Sequence, residues 1–292
     1  MTTTIPKYSQ KPICVVSGVG SGTGTGNACA RLFGKRGYRV ALIARYIESL
    51  QAAVTEINGY EGGEAAAFPI TQYNKAEVSR VFKEIKAKWP GAEIRVAIYN
   101  TGHRVAKPFL ELTQHDIGKC PAAAAATSLL SDLSCWANFL ADRASEKSTD
   151  ESVQTNILGG FAFSQEAILS FREYAINELG NRGVLIFTSA TSAWRGNPTM
   201  AAFAAGKHGV RALSQSLNKE FGKQNIHVAH AIIDGPIITK ITRKTFGTPE
   251  WDTNPDIVLN PADIATAYWY LAHQPRSAWT WEIDLRPAHE TW

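Results

Sequence analysis

The sequence predicts a single α/β domain built on a doubly wound parallel β-sheet, and three observations lead there. β-branched and apolar runs of strand length alternate with helical patterns along nearly the whole chain, the order that produces a parallel sheet with helices on both faces. The first strand passes into its helix through five alternating glycines, Gly18 to Gly26. With 292 residues, 45% of them apolar and 19% charged, the chain is long and apolar enough for one large core. No internal repeat and no linker marks a second domain.

The stretch Val15–Arg45 reads as strand, glycine loop, helix, strand. A helix starting at Gly26 turns Ala28, Cys29, Leu32 and Phe33 toward the sheet and ends at Gly37. Arg39 to Ala44 is the second strand. Ile47 to Ile57 has helical spacing and stops at Gly59, Gly62 and Gly63. Glu64 to Ile70 forms the third strand. Asn74 with Glu77 gives a capping-box-like start to a helix over Lys75–Lys88. Ile94 to Tyr99 is a short apolar strand leading into Asn100-Thr101-Gly102.

Beyond the middle of the chain, a helix runs from Glu151 past Phe163 to about Glu178. Gly183 to Thr188 is the fifth strand, Thr199 to Gly222 a helix, and His227 to Ile233 the sixth strand. Gly235 to Asn260, broken by Pro236, Pro249 and Pro255, is irregular. Pro261 to His273 is helical, and Trp281 to Leu285 makes a last strand.

The glycine loop has the composition of an anion site. A Cβ would block the backbone from a pyrophosphate, and the following helix offers free N–H groups and the positive end of its dipole. All five glycines fall on even steps, so neither G-x-G-x-x-G nor G-x-x-x-x-G-K-[ST] can be satisfied. G-x-x-x-G-x-G fits in two registers, Gly18, Gly22, Gly24 or Gly20, Gly24, Gly26. The second is preferred because it starts the helix at Gly26.

On this loop the chain resembles the short-chain dehydrogenase/reductase family, a Rossmann-type fold. The resemblance covers nearly the whole chain and implies an NADP(H)-dependent oxidoreductase. It implies that Gly20, Gly24, Gly26, Asn100, Gly102, Lys207, Gly235 and Thr239 hold the dinucleotide. Arg45, just past the second strand, would meet the 2′-phosphate, so NADP(H) is expected to be preferred over NAD(H). Asp234-Gly235-Pro236-Ile237-Ile238-Thr239 resembles the segment that brackets the nicotinamide, with Thr239 bonding the carboxamide. The excursion after it is where the family places its substrate lid.

The family works with Asn, Ser, Tyr and Lys, and here the set is incomplete. Asn156 matches the asparagine that holds a water in a proton relay, and Lys207 matches the lysine. One helical turn before Lys207, the tyrosine that exchanges the proton is replaced by Phe203. The serine position falls on Ala190. The cofactor side is kept and the acid side is lost. A phenyl ring transfers no proton, so Thr191, His103 or an acid from the lid must substitute, or the substrate needs no acid. A preformed iminium already carries the positive charge that a carbonyl must acquire. Two functions therefore stand. One is an atypical reductase delivering hydride to a small carbonyl or iminium substrate; the other is a non-redox or catalytically impaired NADP-binding protein.

The resemblance breaks once. Splicing Ile117 to Glu151 restores an unbroken amphipathic pattern, and the residues between, 118–150, are not called for by the family. One reading is an inserted amphipathic helix over roughly Ala122–Glu146, acting as a lid or partner surface. The other is a retained intron, since Gly118-Lys119-Cys120 can be encoded by GGT-AAG-TGC, which contains the splice-donor string GTAAGT. Both stay open.

The net charge is +4, with no block of like charge and no Lys/Arg cluster interleaved with aromatics, which argues against nucleic acid. Cys14, Cys29, Cys120 and Cys135 show neither C-x-x-C nor histidine spacing, so no metal site is expected and a reducing compartment is. No apolar run reaches signal-peptide or membrane-spanning length. The expectation is a cytoplasmic protein, not at a membrane, acting on a small molecule and assembling as a homodimer or homotetramer.

Overall fold

The structure is a computed structural model and describes residues 7–20, 22–112 and 151–290; the segment 118–150, on which the lid and intron readings fall, lies outside them. Seven strands are described: β1 Ile13–Ser17, β2 Arg39–Ala44, β3 Glu64–Pro69, β4 Ile94–Tyr99, β5 Gly183–Thr188, β6 Ile226–Ile233 and β7 Glu282–Leu285. They form one parallel sheet in the order β3-β2-β1-β4-β5-β6-β7. Chain direction across the sheet reverses between β1 and β4. In such sheets a crevice opens there beyond the carboxyl ends of the strands.

Alternation along β1 divides the interior into two cores. Cys14 and Val16 join Phe33, Leu42, Leu50, Tyr268 and Trp269 on one face. Ile13 and Val15 join Phe82, Tyr99, Phe163, Phe171 and Phe187 on the other. Both faces are apolar because helices cover both. The first face is covered by α1 Thr25–Lys35, α2 Ile47–Asn58 and α7 Pro261–Ala272; the second by α3 Lys75–Lys88, α4 Gly159–Arg172 and α5 Ala201–Phe221. Phe163 of α4 packs its ring 5.5 Å from Phe82 and 5.2 Å from Tyr99. Cys14 and Cys29 are buried and unpaired by any disulfide.

Most boundaries follow the sequence, and the departures have local causes. Helix α1 begins at Thr25, not Gly26, because Gly24 has extended backbone and serves as its N-cap. At α3, Asn74 Oδ1 accepts from Glu77 N at 2.9 Å, but the Glu77 carboxylate accepts from Thr71 instead of closing the box. The helix expected to reach Glu178 ends at Arg172. There Glu173 and Tyr174 fold back onto Ser170 and Phe171, and Asn177 Oδ1 then collects the N–H groups of Leu179 and Asn181. Helix α5 starts at Ala201 because Thr199 sits at φ +67°, outside helical space. The irregular excursion contains a short helix, α6 Lys240–Phe246, capped by Thr239.

The approach to α4 was not anticipated. Glu151–Val153 is α-helical, Gln154–Leu158 is a π-helical turn, and α4 continues from Gly159. Asn156 lies in that wide turn. No described helix is long and apolar enough to cross a membrane.

Candidate active site

A cleft of about 740 Å³ opens at the carboxyl ends of β1, β4, β5 and β6. Its wall includes Gly24, Asn100, Gly102, Ala190, Thr191, Phe203, Lys207, Gly235 and Thr239. Nine of the residues singled out from the sequence thus come together, though they span most of the chain.

The glycine loop has an inner and an outer set. Gly18 sits at φ +88°, and a Cβ there would lie 2.6 Å from Thr101 N. A Cβ on Gly26 would lie 2.5 Å from the Gly18 carbonyl oxygen and 2.9 Å from Asn100 Nδ2. These two let the loop press against the end of β4, where Asn100 Nδ2 donates to Gly18 O at 2.9 Å and Ser17 Oγ meets Thr101 Oγ1 at 2.5 Å. Gly20, Gly22 and Gly24 are different, for a Cβ on any of them meets nothing within 4 Å. They border open space, a cradle that side chains would fill. Among the described residues of the loop, Gly18 and Gly22, both outside the preferred register, are the ones with positive φ.

Gly102 brings the two retained polar residues together. Its own missing Cβ position lies 3.2 Å from Lys207 Nζ and 3.3 Å from Asn156 Oδ1. Lys207 is buried and donates to Thr188 O at 3.0 Å. Burial pushes its pKa down to about 8, because the charged form is poorly solvated there. Asn156 Nδ2 donates to His103 O at 3.0 Å and approaches Ser152 Oγ at 3.2 Å, whereas its Oδ1 is buried with no protein partner. An ammonium and an orphaned acceptor therefore border the same space. His103 contributes its carbonyl; its side chain is not part of the cleft wall.

The proton-donor side has a different composition. The Phe203 ring lines the cleft with its centroid 5.7 Å from Lys207 Nζ. Ala190 has extended backbone and precedes a 3₁₀ turn, Thr191–Ala193. Strand alternation ends before this turn, so Thr191 reaches the cleft although it neighbours Ala190 in sequence. Its hydroxyl donates to Asp234, whose carboxylate is buried beside Arg286 Nη1 at 2.8 Å. Neither Asp234 nor Arg286 was singled out from the sequence for its side chain. An acid directly after the apolar run of β6 was the available signal for Asp234; for Arg286 there was none.

Four expected residues are not part of this wall: Asn156, fully buried beside Gly102, and three more. Gly26 is beneath the loop, Gly20 lies on its outer rim, and Arg45 is exposed at the end of β2 with its guanidinium 5.9 Å from the Tyr46 ring. Thr239 lines the cleft, but its Oγ1 is engaged as a helix cap with Thr242. Among the described residues no group of three or more His, Cys, Asp and Glu is placed to hold a metal.

A sequence profile of the short chain dehydrogenase family matches residues 13–141 and 136–250. The chain belongs to that family. The two matched pieces of the short-chain dehydrogenase profile meet inside the segment 118–150. Among relatives, an uncharacterized oxidoreductase of Staphylococcus aureus is 25% identical over 275 residues, covering 94% of this chain and 96% of its own. Two solved structures share the fold. An alcohol dehydrogenase from Thermococcus sibiricus complexed with 5-hydroxy-NADP has a TM-score of 0.70 at 18% identity, covering 97% of this chain and 99% of its own. A 3-ketoacyl-(acyl-carrier-protein) reductase from Brucella melitensis complexed with NADH has a TM-score of 0.71 at 19% identity, covering 96% and 98%.

Proposed function

We propose that this short-chain dehydrogenase is an NADP(H)-dependent oxidoreductase with an atypical active site, delivering hydride to a small carbonyl or iminium substrate. One observation carries the reading. Gly24 of the open glycine cradle and the buried Lys207 ammonium line one cleft, with the orphaned Asn156 Oδ1 buried beside Gly102 of its wall, while a phenyl ring stands one turn before Lys207. The residues present fit a dinucleotide. Gly20, Gly22 and Gly24 leave room for a pyrophosphate at the N-terminus of α1. Lys207 and Asn156 offer a donor and an acceptor to ribose hydroxyls, with Asn100, Gly102, Gly235 and Thr239 around them. Arg45 supplies a charge-assisted partner for a 2′-phosphate.

When bound, reduced nicotinamide supplies the hydride. The chain's own residues orient and exclude. Lys207 holds a positive charge at the cleft base up to about pH 8. Phe203 closes the wall without offering a proton, and Ala190 offers no hydroxyl to a substrate oxygen. A positioned general acid typically contributes ~10²–10⁴-fold, so carbonyl reduction proceeds without that factor unless another group supplies it. The same two replacements favour a second reading, a protein that binds NADP without turnover.

Titration with NADPH and NADH, followed by oxidation of bound NADPH against paired carbonyl and iminium panels at the nicotinamide absorbance, tests both. Binding with hydride transfer supports the enzyme. Tight binding with no transfer to any panel member selects the non-redox protein. Loss of a charge-assisted contact in Arg45→Ala should erase a preference for NADPH of about 10–100-fold; equal affinities in the parent protein would refute the assignment of Arg45. Assembly as a homodimer or homotetramer is supported by the exposed Phe161 and Leu169 on α4, and sedimentation tests it.

A further inference from the structure

Thr191 lines the cleft and its single hydroxyl proton is committed to Asp234 Oδ1. Asp234 is 3% exposed, and its other oxygen has Arg286 Nη1 at 2.8 Å and Arg195 Nη2 at 3.8 Å. Arg286 is shared, since its Nε and Nη2 also donate to the Asp284 carboxylate at 2.9 and 2.7 Å. Glu290, another residue of the cleft wall, acts on the same guanidinium. Three carboxylates, Asp234, Asp284 and Glu290, thus lie about the Arg286 guanidinium, and Asp234 also faces Arg195. The remaining charged residues of the wall are Lys207 and Arg104, and the Arg104 guanidinium lies 5.7 Å from the Phe246 ring.

An ionised carboxylate only accepts hydrogen bonds, and a hydroxyl has one proton to give. With that proton on Asp234, Thr191 presents lone pairs to the cleft. It cannot polarise a carbonyl oxygen, which needs a donor, but it can accept from an N–H. We propose that the substrate of this cleft carries a protonated nitrogen on the reacting carbon, an N–H iminium, and that Thr191 recognises that N–H with Asp234 and Arg286 fixing its hydroxyl. The proposal rests on the NADP(H)-dependent oxidoreductase reading. The step balances without an acid. The iminium carbon gains the hydride pair, the C=N π electrons become the nitrogen lone pair, and the product is a neutral amine. The nicotinamide is the two-electron source, and no proton changes hands.

The test is calorimetric binding to the NADP⁺-loaded full chain, in which an iminium cannot be reduced. Three probes of one shape are compared in buffer acidic enough to protonate the first: dihydroisoquinolinium with its N–H, its N-methyl cation, and neutral tetralone. The N–H cation should bind about ten-fold or more tightly than the N-methyl cation, the size expected for a hydrogen bond involving a charged group. Thr191→Val should bring that ratio near one, and Thr191→Ser should restore it. Equal affinity for the two cations in the parent protein overturns the proposal whether or not the variants fold. So does tighter binding of tetralone, a ratio that survives Thr191→Val, or no binding of any probe. With NADPH in place of NADP⁺, selective binding without nicotinamide oxidation refutes the redox reading and leaves the N–H recognition standing.

Discussion

Gly26→Ala against Gly20→Ala separates the glycines that hold the loop from those that border the cradle. The new Cβ at Gly26 would lie 2.5 Å from Gly18 O and 2.9 Å from Asn100 Nδ2, where ordinary contact begins at 3.4 Å. Those two atoms are the acceptor and donor of one hydrogen bond, so relieving the overlap breaks it. Overpacking costs roughly 1–3 kcal/mol and a lost hydrogen bond about 1 kcal/mol. The better helix propensity of alanine returns about 1 kcal/mol. The net loss is about 1–3 kcal/mol, a fall in Tm of about 2–5 °C for a domain of this size. At Gly20 a Cβ meets nothing within 4 Å and the backbone is not left-handed. Gly20→Ala should leave the Tm of the free protein within about 2 °C of its parent, or raise it slightly, yet weaken NADPH binding because the methyl enters the cradle. Calorimetric unfolding of both variants, with NADPH titrations, is the assay. A Gly26→Ala protein as stable as its parent, or a Gly20→Ala protein that binds NADPH unchanged, would refute the division.

Installing the missing acid with Ala190→Ser and Phe203→Tyr should raise carbonyl reduction by about 10²-fold or more while hardly altering turnover of an N–H iminium; a large gain on the iminium would contradict an acid-independent step. Burial holds His230 and His273 at about 4, against an ordinary value of 6.5, and lowers His227 as well. A depressed imidazole stabilises the fold fully above its unfolded value, so stability should be complete above about pH 6.5 and drain away toward pH 4, by about 3 kcal/mol at most for each of His230 and His273. A Tm that stays flat across that window would count against both. Deleting 118–150, on the retained-intron reading, should give a more soluble protein that keeps its NADPH affinity. An unfolded or non-binding deletion would show that the segment belongs to the working fold, and a spliced transcript joining the codons of Ile117 and Glu151 is an independent check.

The sheet was legible because strands covered on both faces are apolar throughout and stop abruptly at polar or glycine residues. β4 and β5 fall on the residues expected, and α3 does too, marked by Asn74 at one end and Trp89-Pro90-Gly91 at the other. The glycine loop was legible as a loop, but five evenly spaced glycines do not reveal which carry positive φ. That depends on how the loop meets Asn100 and Thr101 across the sheet. Thr191 could be shortlisted, but its proton is committed by Asp234, 43 residues away. No pairing of that kind leaves a periodic trace. The π-helical turn was equally invisible, because one extra residue hardly disturbs an apolar stripe read at helical spacing.

That turn has a bearing on how such a site can be lost. An α-helix advances about 100° per residue, and a π-helical turn stores an extra residue within an otherwise regular helix. Removing one residue of the turn after Asn156, either Ile157 or Leu158, would let the hydrogen bonding return to the α pattern. Everything downstream would keep its place, including Phe163 between Phe82 and Tyr99. Everything upstream would rotate by about one residue's step, taking the position now held by Asn156 away from Gly102 and Lys207. The core on this face and the polar site beside it are therefore separable by a single codon, and a chain could keep the one while abandoning the other.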